Sequence, residues 1–118
     1  DVNNLKKTND MYGHDAGDAL LKKAAESIKA MVSENIHGFR MGGDEFIMVA
    51  LNCAESDVSE IKARWEKELE IVNEKYGMSP CSVAVGTAFA RGAFQIEELC
   101  KIADDRMYDD KRRKHNCR

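Results

Sequence analysis

Acidic side chains stand at three points of this sequence where the chain must turn, and their spacing suits the holding of a cation. Asp44 and Glu45 follow Gly42-Gly43, between Phe39-Arg40-Met41 and the apolar run Phe46 to Ala50. Paired glycines accept the positive backbone angles of a tight turn at little steric cost, so this stretch reads as a hairpin. Two consecutive acids at the mouth of an otherwise buried strand are costly unless a cation or donor meets them, the plain alternative being a solvated hairpin tip. Asp1 stands on a short apolar segment that then turns, and Gly13-His14-Asp15-Ala16-Gly17-Asp18 is a second glycine-spaced acidic loop. If Asp1 and Asp44 come from neighbouring strand ends, they form a carboxylate pair suited to Mg²⁺, a hard cation that takes oxygen ligands and leaves positions for phosphate. Periodicity does not prove that adjacency.

The elements that must position these residues follow from pattern. Lys6 to Asp10 begins a helix after the first strand, and Tyr12-Gly13-His14 turns into a second helix. From Ala16 to Val32 the apolar residues recur at helical spacing, with Asp15 as N-cap and Asp18 in the position of a capping-box acid. Ile36 to Met41 and Phe46 to Leu51 read as the strands of the hairpin, and the second carries apolar residues on both faces, as a covered central strand would. Asp57 with Glu60 makes another capping box before a helix whose apolar stripe is Val58, Ile61, Trp65, Leu69, Val72 and Tyr76, ended by Gly77. Ser79-Pro80 leads into a strand from Cys81 to Ala90, whose small residues let a helix approach closely. Ile96, Leu99, Cys100, Ala103 and Met107 mark a final helix that ends among Lys111, Arg112, Arg113 and Lys114, basic residues that suit the dipole and usually form a solvated end.

The order strand, helix, strand, strand, helix, strand, helix fits an α/β sandwich of ferredoxin-like or nucleotidyltransferase palm type, with a central, mainly antiparallel sheet flanked by helices. A TIM barrel or doubly wound domain needs more units, and Gly42-Gly43 lacks the phosphate-cradling spacing of a Rossmann turn or P-loop. The 118 residues make one domain, 1–118, able to bury a modest core. Apolar residues at 43% and charged residues at 33% describe an ordinary globule, and a net charge of -3 argues against a general grip on a nucleic-acid polymer. The four cysteines include no Cys-x-x-Cys pair, and the two in apolar stretches read as small buried hydrophobes, consistent with a reducing compartment. No secretory h-region and no bilayer-length apolar run is present in the sequence.

The joint pattern Asp1-x-Asn3-x-x-Lys6-x-x-Asn9-Asp10, then Tyr12-Gly13-His14-x-x-Gly17-Asp18, then Arg40-x-Gly42-Gly43-Asp44-Glu45-Phe46 resembles the diguanylate cyclase, or GGDEF, domain family. Ser82-Val83-Ala84-Val85-Gly86 and Ala103-Asp104-x-x-Met107-Tyr108-x-x-Lys111 resemble that family's later strand and last helix, so the likeness covers nearly the whole chain. The resemblance implies condensation of two GTP molecules into cyclic di-3′,5′-guanylate with release of two pyrophosphates, in a homodimer whose two GTP sites face each other. It implies that Asp1, Asp44 and the backbone carbonyl of Val2 hold two divalent metals, Mg²⁺ or Mn²⁺, with Glu45 supporting the metal or removing a proton. It places Asn9 and Asp18 at the guanine, Lys6 and Lys111 at the triphosphate, and backbone amides of Asn3, Asn4 and Leu5 as further phosphate donors. Arg40 is expected to organise the acidic turn rather than to contact substrate. A cytoplasmic domain under an upstream sensor or input domain is implied, in a parent protein compatible with a membrane anchor.

Departures from the family pattern carry their own expectations. The family's usual basic residue four positions after Lys111 is His115 here, which weakens phosphate neutralisation unless Arg112, Arg113 or Lys114 substitutes. Ser33 and Ile36 stand where the family's inhibitory product site has Arg-x-x-Asp, so product inhibition is expected to be lost. Asn3 replaces an aspartate common in relatives. Family members carry an N-terminal segment and the first part of the leading strand before Asp1, so the chain reads as N-terminally truncated and the isolated piece is open to being inactive. Two other functions fit the same residues: a non-catalytic module that binds GTP or dimerises for regulation, and a related nucleotide cyclase or polymerase palm with the same two-metal logic.

Overall fold

The computed structural model describes residues 1–76, 81–91 and 96–116. The elements run α1 (Leu5–Tyr12), α2 (His14–Lys29), β1 (Ile36–Gly42), β2 (Glu45–Ala50), α3 (Asp57–Tyr76) and α4 (Ile96–Asn116). Helices thus flank a small antiparallel sheet, the α/β palm-like arrangement expected from the order of elements.

β1 and β2 form the hairpin expected from Gly42-Gly43. Their register runs from Ile36 opposite Ala50 to Gly42 opposite Glu45, with an irregularity between Arg40 and Gly42. Gly42 and Gly43 both take positive φ, 145° and 44°, which a side chain at either position would resist. The strands differ in coverage: β2 is half-buried from Phe46 to Ala50, whereas beyond Ile36 β1 is exposed along its length, and Phe39 and Met41 lie on the surface. Only the Ile36 end reaches the core, where it joins Leu20, Ala24, Met31 and Trp65.

A correction concerns the segment after α3. In place of a regular strand from Cys81 to Ala90, residues 81–91 make one bridge, with Val83 opposite Val2 in antiparallel sense. The backbone groups there are divided between two partners. Ser82 O accepts from Asn3 N at 2.8 Å and Ala84 N donates to Asp1 O at 2.8 Å, while Val85 N donates to an Asp110 carboxylate oxygen and Thr87 O accepts from Arg106. Helix side chains thus satisfy groups that a further strand would otherwise take. The close approach expected of the small residues is present at Gly86, where a Cβ would overlap the backbone of α4 at Ala103 and Met107.

The caps also differ from the sequence reading. α2 begins at His14 with Gly13 before it and no side-chain capping bond, so Asp15 lies in the first turn, where its charge still suits the helix dipole. α2 ends at Lys29 rather than Val32, because Met31 N and Val32 N bond three residues back and tighten the exit. Asp57 is not the N-cap of a box with Glu60. Its carboxylate reaches back to accept from Ala54 N at 2.8 Å, taking the part of the capping-box acid.

α3 packs on α2 through its apolar stripe, with Trp65 and Val72 buried and Tyr76 left exposed. Trp65 donates its indole N–H to Ser27 Oγ at 3.0 Å, and Ser27 in turn donates to Ala24 O at 2.6 Å. Cys81 is buried, Cys53 and Cys100 half-buried, and all three are free thiols. Gly77, Ser79 and Pro80 lie outside the described residues. Among the described residues no helix is long and apolar enough to cross a membrane.

Candidate active site

The short segment Asp1 to Asn3 lies between the hairpin tip and residues 82–84, and it gathers the acids. Val2 donates its main-chain N–H to Asp44 O at 2.9 Å, while the other side of the segment bonds to Ser82 and Ala84. Asn3 strengthens that second side by donating its side-chain amide to Ser82 Oγ at 2.9 Å. The adjacency of the Asp1 and Asp44 strand ends is therefore built from backbone hydrogen bonds. Arg40 fixes the turn below them, donating from Nε at 3.2 Å and Nη2 at 2.7 Å to Gly43 O, the organising part expected of it.

The charges converge on Asp1. Lys111 Nζ lies 3.1 Å from Asp1 Oδ2, with the carboxylate side chain 13% exposed and the lysine 42%. The ammonium thus compensates a mostly buried carboxylate. Together with Asp44 and the backbone carbonyls beside it, the donor set consists of hard oxygens and fits a Mg²⁺-type cation. Glu45 is exposed and Asp44 half-buried, and among the described residues no three His, Cys, Asp or Glu side chains close on a single point.

An open cleft of about 430 Å³ lies beside this pair, lined by Val2, Asn4, Leu5, Lys6, Lys7, Asp10, Met11, Asp44 and Lys111. Six of the residues singled out in the sequence thus line one cleft: Val2, Asn4, Leu5, Lys6, Asp44 and Lys111. Asn4 takes a left-handed conformation, φ 60°, and starts α1 without a side-chain capping bond, so the chain turns sharply from the strand into a helix whose first N–H groups lack intrahelical acceptors. The N–H of Asn3 is already given to Ser82.

Asn9 and Asp18 do not line that cleft; Asn9 lies at the junction of α1 and α2. Asn9 lies across Gly17, where a Cβ would overlap the Asn9 amide oxygen, and Asp18 is the next residue, exposed on α2. Gly17 is what lets the amide approach the helix beside the carboxylate.

Lys7 and Met11 line the cleft without having been singled out in the sequence, and Asp10, part of the family pattern, had no site role assigned to it. Their spacing of three and four on α1 places them on one helical face, a signal that was present once Lys6 to Asp10 was read as a helix. At the end of α4, Arg112 pairs with Asp109, and Arg113 stands 3.9 Å from Asp110. Both arginines are exposed and pair back along the helix. The side chains of Lys114 and His115 lie outside the described residues.

The sequence profile described as "Diguanylate cyclase, GGDEF domain" matches residues 1–117. The chain belongs to that family. This GGDEF domain is 35% identical over 122 residues to the diguanylate cyclase DosC of Escherichia coli K12, covering 98% of the chain and 26% of DosC. It is 31% identical to the diguanylate cyclase DgcS of Shewanella oneidensis, covering 99% of the chain and 39% of DgcS. The GGDEF domain thus spans between about a quarter and two fifths of these relatives' length. Among solved structures, it matches the GGDEF domain of YfiN from Pseudomonas aeruginosa with a TM-score of 0.78 at 26% identity, covering 96% of this chain and 73% of that one. It also matches a microbial GGDEF domain studied for its interaction with bis-(3′,5′)-cyclic di-GMP, with a TM-score of 0.72 at 31% identity over 94% of this chain and 68% of that one.

Proposed function

We propose that the protein carrying this GGDEF domain condenses two GTP molecules into cyclic di-3′,5′-guanylate. The observation that carries the reading is the seating of Asp1 beside Asp44 through the Val2 N–H to Asp44 O bond, with Lys111 drawn onto the Asp1 carboxylate next to a cleft that Lys6 also lines. Each 3′-hydroxyl attacks the α-phosphorus of the other GTP, forming a P–O bond as the bond to the β-phosphate breaks and pyrophosphate leaves. Two such events close the ring, so two subunits must present their sites face to face. The nucleophile belongs to the substrate, and no serine or cysteine of this chain is needed.

Asp1, Asp44 and the Val2 carbonyl, supported by Glu45, would hold two divalent cations, Mg²⁺ or Mn²⁺. Bound there, such cations supply positive charge to the reacting phosphate and 3′-oxygen. Lys6 and Lys111 neutralise the triphosphate, and main-chain N–H groups at the start of α1, those of Asn4 and Leu5, donate to it. Asn9 and Asp18 select guanine: the carboxylate accepts from N1–H and the exocyclic amine, which adenine does not present together, and the amide offers both donor and acceptor.

The family resemblance extends the reading to a cytoplasmic domain under an upstream input domain. Ser33 and Ile36 in place of an Arg-x-x-Asp pair support an enzyme without the family's usual product inhibition. The test is incubation of the full-length protein with GTP and Mg²⁺ or Mn²⁺, reading nucleotides by mass spectrometry. Cyclic di-guanylate and pyrophosphate in a one-to-two ratio are expected. GTP bound by a metal-loaded dimer and left unconverted would overturn the reading.

A further inference from the structure

We propose that Asp110 is a positioning residue that sets the register of α4 and so carries Lys111 to Asp1. The sense given to Lys111 as a phosphate ligand rests on the cyclase reading, but the placement itself does not. Three contacts fasten α4 to the segment 81–91 around Gly86. On one side of the glycine, Val85 N donates to Asp110 Oδ2 at 2.9 Å; on the other, Arg106 donates to Thr87 O at 2.7 Å. Between them Gly86 has no side chain, and the helix backbone at Ala103 and Met107 fills the space a Cβ would need. Arg106 and Asp110 are four residues apart and lie on the same face of the helix, so the two bonds hold one turn of α4 at both ends.

The same segment is bonded to the acid strand on its other side, through Ser82 O to Asn3 N and Ala84 N to Asp1 O. Asp110 therefore connects α4 to the strand that bears Asp1 by a short chain of hydrogen bonds. Lys111 is the next residue, and its Nζ reaches Asp1 Oδ2 at 3.1 Å. A register change of one residue would turn Lys111 by about 100° around the helix axis, away from the acid. The neighbouring acid Asp109 plays no such part: it is exposed and pairs with Arg112 on its own helix. The Asp110 side chain is 16% exposed, and its second oxygen stands 3.9 Å from Arg113.

The test uses the full-length protein and three variants, Asp110→Ala, Asp110→Asn and Asp109→Ala. Two readouts are independent of turnover: the rate of acetylation of Lys111 by a soluble acylating reagent, read by peptide mass spectrometry against Lys6, and amide hydrogen exchange at Val85. In Asp110→Ala, Lys111 is expected to label several-fold faster and Val85 to exchange faster, while Lys6 is unchanged. Asp110→Asn should restore both, because the amide oxygen still accepts from Val85 N–H, and Asp109→Ala should match wild type. If Asp110→Ala does not fold, Asp110→Glu moves the acceptor by one methylene while keeping the charge, and faster labelling is expected there too. Lys111 labelling unchanged in the folded variants, or Asn behaving like Ala, would overturn the proposal. GTP supplies the third readout, a rise in KM with kcat less affected in Asp110→Ala. Absence of turnover in wild type would remove the cyclase reading alone, since labelling and exchange still decide the positioning role.

Discussion

Val2 gives its main-chain N–H to the carbonyl of Asp44 at 2.9 Å, and that bond places the hairpin tip against the strand that begins with Asp1. Two acids 43 positions apart in the chain become neighbours through backbone groups alone. The Asp1 side chain draws in Lys111 from α4.

Gly17→Ala is expected to damage the proposed guanine site while leaving the acid pair in place. The new methyl group would overlap the Asn9 amide oxygen, so either Asn9 swings away or α1 shifts on α2. Overpacking of this kind costs about 1–3 kcal/mol. If the cost falls on the bound state, GTP affinity drops roughly ten-fold or more. Calorimetric titration with GTP checks it, and an unchanged affinity would show that Asn9 does not meet the base from this position.

Ser27→Ala should destabilise the fold through Trp65. Ser27 is fully buried and accepts the indole N–H, and the alanine leaves that donor without its partner inside the core. The expected loss is about 1–3 kcal/mol. Urea unfolding followed by fluorescence reads it cleanly, because Trp65 is the chain's one tryptophan. A loss below about 0.5 kcal/mol would mean that the bond contributes little beyond packing.

The hairpin and the α3 stripe were legible because their signals are local: glycines that need positive φ, and apolar residues at steps of three and four. The pairing of Asp1 with Asp44 could only be posed as a condition, since the bond from Val2 to Asp44 joins segments that no periodicity relates. Caps were misread for a different reason. An acid near a helix start can cap it, lie in its first turn or face a ligand, and Asp15, Asp18 and Asp57 look alike until the backbone path is known. The strand expected over Cys81 to Ala90 shrank to one bridge because α4 side chains take its hydrogen-bonding groups, as Asp110 does at Val85. Lys7 and Met11 were missed although their helical spacing with Asp10 was visible.

Burial raises the Cys81 thiol from its ordinary 9.0 to about 11. The folded state therefore keeps its proton where the unfolded chain has lost it, and this contribution to stability is fully present below pH 9 and is lost as pH rises towards about 11. The difference in unfolding free energy between wild type and Cys81→Ala should narrow across that window. At pH 8, alkylation of Cys81 should be slow in the folded protein and fast in urea. Rapid alkylation in the folded state would contradict the burial.

Asp1 and Asp44 are expected to act as one unit in cyclic di-guanylate synthesis. The measurement that tests it most directly is a double-mutant cycle in the full-length protein, with rates of cyclic di-guanylate formation for wild type, the two single alanine variants and the double variant. Each single substitution should lower the rate on the order of 100-fold or more. The double should be scarcely worse than either single, as expected for residues that act together. Full activity in Asp44→Ala, or losses that multiply as for independent sites, would contradict the account.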